Sequence, residues 1–317
     1  MSRARRFAAT RCTRRLSAPS ESGDAITKEA ITQISYRSVL STIRNIIRGL
    51  RPSGGRSVRN LVEQLTSADA RSRWEAAEAL GRYGREARVA QALVEALGDP
   101  HPFVRWHAAE GLALGGSEKA FDLLHAALAS RNMLRRSAAA EALGRLGDPR
   151  AVGPLSKALT SRSADVRCSA AEALARLANP AALPQLARAL GDEDQHVRRA
   201  VVTALGAVGS REALPALMTM LQDNSALVRS AAAEALRKLG DPSAAASLRA
   251  ALGDPDPGVR WRAVGALGAV GDATTLPTLK PLLSDTTMVF GKSIADATQS
   301  TIKAIEKRQK QPERGSA

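Results

Sequence analysis

Aromatic side chains make up only 3% of this 317-residue chain, and that scarcity excludes a core built on Trp, Tyr and Phe. With 44% of its residues hydrophobic, a share typical of globular proteins, the interior has to be filled by Ala, Leu and Val, and side chains this small let helices approach closely. Cysteine is nearly missing. Cys12 and Cys168 are the only two, which leaves no disulfide framework and no CxxC metal motif and fits a reducing compartment. No uncharged apolar run reaches the ~18 residues of a spanning helix, and the N-terminal segment lacks the apolar centre of a secretory signal. The expectation is a cytoplasmic protein, with organelle targeting by the Arg-rich N-terminus left open.

A formal net charge of +15 invites a nucleic-acid reading until the charge is located. Residues 1–20 carry six Arg and no acid, residues 21–59 seven bases against three acids, and residues 303–317 five against two. The body, residues 60–302, holds 28 bases and 26 acids. A groove that grips phosphates concentrates Lys and Arg, so contact with nucleic acid or an acidic membrane is expected only through the basic N-terminal segment.

What the chain does have is a period of 31 residues, the kind of spacing that marks stacked helical hairpins. Val104-Arg105, Arg135-Arg136, Val166-Arg167, Val197-Arg198, Val228-Arg229 and Val259-Arg260 stand in phase, with Ser72-Arg73 lying 32 residues before the first. Each Arg opens a run such as Ser230-Ala231-Ala232-Ala233-Glu234-Ala235-Leu236, closed by Gly or Ala and often by Gly-Asp-Pro, which are helix stop signals. Before each run lies a shorter segment with leucines four apart: Leu61/Leu65, Leu93/Leu97, Leu124/Leu128, Leu155/Leu159, Leu186/Leu190, Leu217/Leu221, Leu248/Leu252 and Leu279/Leu283. That spacing puts each pair on one face of a helix. Pro184, Pro215 and Pro277 fall near the start of this helix, where a missing N–H costs little. A single hairpin cannot bury its apolar face, so eight of them are expected to stack over residues 56–308, the last a divergent cap marked by Met288, Ile294, Ile302 and Ile305.

With Asp six residues before Arg (Asp99/Arg105, Asp192/Arg198, Asp223/Arg229, Asp254/Arg260) and the signature Ala139-Ala140-Glu141-Ala142-Leu143-Gly144, the chain resembles HEAT repeats. It is similar above all to the short repeats of E/F-type phycobilisome lyases and of deoxyhypusine hydroxylase. The resemblance implies an all-α, right-handed α-solenoid, an armadillo/HEAT-like superhelix of about eight helical hairpins. It further implies that the Asp and Arg rows form a structural ladder between adjacent turns, including Arg136 and Arg167, with weaker rungs where Ser130 and Ser161 replace Asp. Deoxyhypusine hydroxylase holds di-iron through His-Glu dipeptides, and this sequence has none; the nearest approach, His107-Ala-Ala-Glu110, has the wrong spacing. Lyases of this type act in pairs on a bilin and a phycobiliprotein, so a bilin chromophore enters as a possible partner.

The seven arginines in register also have a competing reading as a phosphate stripe. The Glu row (Glu78, Glu110, Glu141, Glu172, Glu234) can be read as carboxylates for chemistry or as a solvated face. Arg82, Arg145, Arg176 and Lys238 stand four residues after four of these Glu, which is ordinary helix-surface pairing. Trp74, Trp106 and Trp261 all sit just after the repeat Arg, where other units carry Ser137, Cys168, Arg199 and Ser230. Trp74 and Trp106 lie in adjacent units, about 8–10 Å between helix axes, and with His107, Glu78 and Glu110 they define a candidate aromatic platform. Trp is enriched at binding hot spots; the alternative is a large side chain covering an Ala-rich helix. Cys168 reads as a small structural residue. His101, His107, His125 and His196 occupy different repeat positions, so no metal site, catalytic residue or cofactor is expected.

Residues 1–23 read as a basic arm or transit-like segment. Residues 24–55 read as an amphipathic cap and loop, with Ile31, Ile34, Ile43, Ile46, Ile47 and Leu50 on one side, and residues 309–317 as a tail. The functional expectation is a scaffold or adaptor gripping a protein partner along its concave surface, with a bilin lyase-like or chaperone-like subunit and a nucleic-acid binder as alternatives.

Overall fold

A computed structural model describes residues 57–115 and 118–310. The arm, the cap and most of the C-terminal tail expected from the sequence lie outside the described residues. The described chain falls into two compact units, residues 57–239 and 240–310.

The first unit is six helical hairpins. Its shorter helices are α1 (Val58–Gln64), α3 (Ala87–Ala96), α5 (Glu118–Ala127), α7 (Val152–Ala158), α9 (Leu183–Ala189) and α11 (Leu214–Thr219). Their longer partners are α2 (Ala70–Leu80), α4 (Pro102–Gly115), α6 (Met133–Leu146), α8 (Ala164–Leu177), α10 (Gln195–Val208) and α12 (Ala226–Leu239). Each long helix packs on its own short helix, and within this unit consecutive long helices pack on one another, so its hairpins stack in sequence order. The class is all-α and repetitive, that of the HEAT-type solenoids.

The boundaries follow from local chemistry. Asn132 caps α6, its side-chain oxygen accepting from the Leu134 and Arg135 amides at 2.9 and 3.2 Å, and Asp194 does the same for α10 through His196 at 2.7 Å; each satisfies an orphan N–H of the first turn. The helices stop where the chain turns left-handed, at Gly147 (φ 74°) and Gly209 (φ 71°), a conformation glycine adopts without steric cost. Ala178 is held there too, at φ 48°. The Gly-Asp-Pro stop then becomes the next start. Asp148 accepts from the Arg150 amide at 2.9 Å and opens a 3₁₀ turn, Pro149–Ala151, that leads directly into α7.

Leucine and alanine fill the interior as the composition requires. Leu93, Leu97, Leu124, Leu155, Leu186 and Leu217 are fully buried, as are Ala77, Ala108, Ala139, Ala171 and Ala233. Small residues are obligatory where long helices touch. A Cβ on Gly144 would lie 2.6 Å from the Ala173 Cα, and one on Gly206 would lie 2.7 Å from the Ala235 Cβ.

The second unit holds two more hairpins, α13 (Ala245–Ala250) with α14 (Pro257–Val270), and α15 (Leu276–Leu279) with α16 (Ile294–Lys310). The last departs from the sequence expectation. Between its helices runs a two-stranded antiparallel ribbon, β1 (Met288–Val289) and β2 (Lys292–Ser293), turning at Phe290 and Gly291 with φ of 53° and 80°. Two successive positive φ values match the right-handed strand twist. Ile294 and Ile305 are buried, but Met288 and Leu283 are 62% and 40% exposed. The final leucine pair is therefore only half inside, because Leu283 falls in a 3₁₀ segment, Lys280–Ser284, which does not keep the 3.6-residue spacing.

Candidate functional site

Two arrays of side chains are built by the repeat in the first unit, one at the turns between the helices of a hairpin and one along a face of the long helices.

At the turns, Arg167 donates from Nε and Nη2 to the two Asp192 carboxylate oxygens at 2.6 and 2.8 Å. Arg198 does so to Asp223 at 2.8 and 2.9 Å, and Arg73 to Asp99 at 2.7 and 3.1 Å. Each carboxylate therefore serves the Arg of the preceding hairpin. The Arg six residues after it takes the backbone instead, as where Arg198 Nη1 donates to the Asp192 carbonyl at 2.8 Å. Arg105, Arg136 and Arg229 make the same turn bonds, to the carbonyls of Asp99, Ser130 and Asp223 at 2.8, 2.7 and 2.9 Å. Such bidentate pairs are strong because both partners are charged and the geometry is fixed. The hydrogen bonds that Arg167 donates to Asp192 raise its pKa against the opposing effect of burial. In the second unit Arg260 Nη1 holds the Asp254 carbonyl at 2.8 Å, and its Nε reaches Asp285 at 3.1 Å. The sequence reading missed Asp285 because no repeat Arg follows it, although it stands one period of 31 after Asp254.

The second array lies on α2, α4 and α6. Trp74 stacks on His107, with ring centroids 5.6 Å apart and planes 17° from parallel. Trp106 meets the same imidazole edge-on at 4.7 Å and 82°. The Arg145 guanidinium lies over the Trp106 ring at 5.3 Å and donates to Glu141 at 2.7 Å; its Nε is buried with no hydrogen-bond acceptor among the described residues. Adjacent hairpins thus carry one continuous aromatic and cationic array, with His107 as the link between the two Trp. Burial lowers the His107 pKa to about 4, so at neutral pH the ring is uncharged and its 4.0 Å approach to Glu110 is no ion pair. Burial also raises the pKa of Glu78, helped by Glu110 and opposed by Arg82.

Phe103 and Leu114 were not singled out in the sequence. They are 47% and 69% exposed, and with Trp106, His107 and Glu110 they fall at i, i+3, i+4, i+7 and i+11, on one stripe of α4. The period hid them. Leu134, one repeat on from Phe103, is half-buried, and Arg145, one repeat on from Leu114, is polar, so neither looks apolar and exposed in both units. Trp261 belongs to the second unit, where it meets Phe290 at 6.2 Å. Arg237 donates to Glu234 at 2.7 Å. Cys168 is buried, its Sγ 3.9 Å from Glu172. Among the described residues no three His, Cys, Asp or Glu side chains come together as a metal set, and no helix is long and apolar enough to cross a membrane.

Comparison with known proteins adds to this geometry. A family model described as HEAT repeats matches residues 41–113, 58–132, 90–167, 152–237 and 220–289. The complex of CpcE and CpcF of phycocyanin lyase from Nostoc sp. PCC7120 is 26% identical, covering 81% of this chain and 98% of that one, with a TM-score of 0.39. YibA of E. coli is 19% identical over 92% of this chain and 99% of its own, with a TM-score of 0.59, a likeness of fold. Human deoxyhypusine hydroxylase in complex with glycerol is 24% identical over 79% and 96%, with a TM-score of 0.36. No curated protein matches the sequence.

Proposed function

The chain belongs to the HEAT-repeat family, and from that premise we propose that it is an adaptor that binds a protein partner through the stripe carrying Trp74, Trp106 and His107. The observation that carries the reading is the cost of that stripe. An Ala-rich protein with aromatic residues at 3% concentrates two of its three Trp on neighbouring helices around an uncharged His107, and on α4 leaves Phe103 and Leu114 in water beside them. Exposed apolar side chains scattered singly need no explanation, but a rimmed cluster marks an interaction surface. Half-buried Trp with a polar rim of Glu78, Glu110 and Arg145 has the anatomy of a binding hot spot. Nothing in the array supplies a nucleophile paired with a base, so binding rather than chemistry is the role its geometry supports.

The test is capture of partners from the native cell by three forms of the chain, with abundances compared by mass spectrometry. Trp74→Ala/Trp106→Ala removes the anchors. Phe103→Ala/Leu114→Ala removes only exposed surface, where truncation leaves stability within about 0.5 kcal/mol. Loss of the same enriched protein with both variants, at an unchanged circular dichroism spectrum, supports the reading; retention of that protein by the Phe103/Leu114 variant contradicts it.

A further inference from the structure

The ladder at the turns of the first unit has a gap, and the gap is built. Arg136 donates from Nη1 to the Ser130 and Arg131 carbonyls at 2.7 and 3.2 Å, as Arg198 does to Asp192 and Glu193 at 2.8 and 3.2 Å. Its guanidinium is therefore anchored to its own turn as the other rungs are. In those rungs Nε and Nη2 close on a carboxylate of the following turn. Here Ser161 stands in that place, and its hydroxyl already accepts from the Ser163 amide at 3.3 Å. A serine ends where the carboxyl carbon of an aspartate would be, so no second oxygen is offered. Among the described residues, Nε and Nη2 of Arg136 donate to no protein atom.

The turns around the gap change charge with it. Where the rung is complete, the turn 192–194 reads Asp-Glu-Asp; at the gap, 161–163 reads Ser-Arg-Ser, and the turn before it, 130–132, reads Ser-Arg-Asn. Arg131 and Arg162 are exposed. Two adjacent turns have thus each lost a carboxylate and gained a guanidinium, in a body whose bases and acids otherwise nearly balance. Losing an internal ion pair sacrifices stability and returns nothing within the chain. A bidentate Arg fork is the side chain best shaped for a carboxylate or phosphate.

We infer that the edge formed by turns 130–132 and 161–163 is an oxyanion site, at which a carboxylate of an acidic segment in a protein partner occupies on Arg136 the place that Asp192 and Asp223 hold in the neighbouring rungs. Arg131 and Arg162 draw the acidic segment in. The site lies at the turns and does not depend on the aromatic stripe of α4.

The test uses the full chain, a capped tetraglutamate peptide and inorganic phosphate, each at constant ionic strength, with binding read from the arginine Nε–H resonances and by calorimetry. In the wild type the peptide moves the Arg136 Nε–H signal saturably and leaves those of Arg167 and Arg198 in place. Ser161→Asp supplies the missing internal carboxylate, so it weakens the peptide at least tenfold while melting no lower than the wild type. Thr203→Asp adds the same charge on exposed α10 and changes affinity less than twofold. Equal weakening by the two Asp variants, or no saturable movement at Arg136, overturns the site. Saturation by phosphate but not by the peptide overturns the carboxylate assignment.

Discussion

Arg167→Ala and Arg136→Ala remove chemically identical side chains from equivalent places in adjacent hairpins, yet they should not cost the same. Arg167 is 7% exposed and its Asp192 partner 9%. Truncation strands a buried carboxylate that keeps one bond, from the Asp194 amide at 2.9 Å. Breaking such a pair costs about 3–5 kcal/mol, and the surviving bond places this one near 3. Arg136→Ala loses only two bonds to turn carbonyls that water can reach, about 1 kcal/mol. The difference of roughly 2 kcal/mol corresponds to about 4–8 °C in melting temperature for a unit of this size. Urea unfolding followed by circular dichroism, with slopes compared to verify that the same surface is exposed, measures both. Asp192→Ser reproduces the natural gap, and in that background Arg167→Ala should fall to the Arg136 value. Equal losses for the two Arg variants in the wild-type background would refute the ladder as a set of unequal rungs.

Three further outcomes follow from the packing, the backbone and the titrating groups. Leu217→Ala, at a fully buried position, should cost about 2–5 kcal/mol, whereas Leu283→Ala, at 40% exposure, should stay within about 1 kcal/mol by the same urea assay. Ala178→Gly should stabilise the chain by about 1 kcal/mol, because it relieves a left-handed residue of its Cβ; a loss would show that the turn is not strained. His107 binds its proton more weakly folded, at about 4, than unfolded, near the usual 6.5. Its contribution is therefore complete above about pH 6.5 and lost as pH falls toward 4, by roughly 2–3 kcal/mol. His107→Gln should flatten that part of the stability-against-pH curve, measured between pH 4 and 7.

The repeat, the helix boundaries and the buried leucines were legible because each is a local pattern. Leu93 and Leu97 are four apart and both inside, and Gly147 ends a helix because it is glycine. The final hairpin was not. Phe290 and Gly291 turn a two-residue ribbon that contributes too little periodicity to show, and Leu283 keeps the four-residue spacing without the helix that would give it meaning. Within the stripe, Trp74 and Trp106 were visible as a shared repeat position, whereas the stacking of Trp74 on His107 depends on how α2 and α4 meet, which no single helix encodes. In the ladder the residues were legible but the pairing was not: Asp192 is six residues before Arg198, yet its carboxylate belongs to Arg167. The resemblance implied rungs between adjacent turns but not which Asp each Arg takes, because that depends on the hairpin stack, which brings residues 25 apart into contact.

Site-specific photo-crosslinking in the native cell tests most directly whether the face of α4 meets another protein. A photoreactive aromatic residue at position 103 or 114 should give the same discrete protein adduct, and one at Ala187, exposed on the short helix α9, should give none. Adducts of equal yield from all three positions, or none from positions 103 and 114, would contradict it.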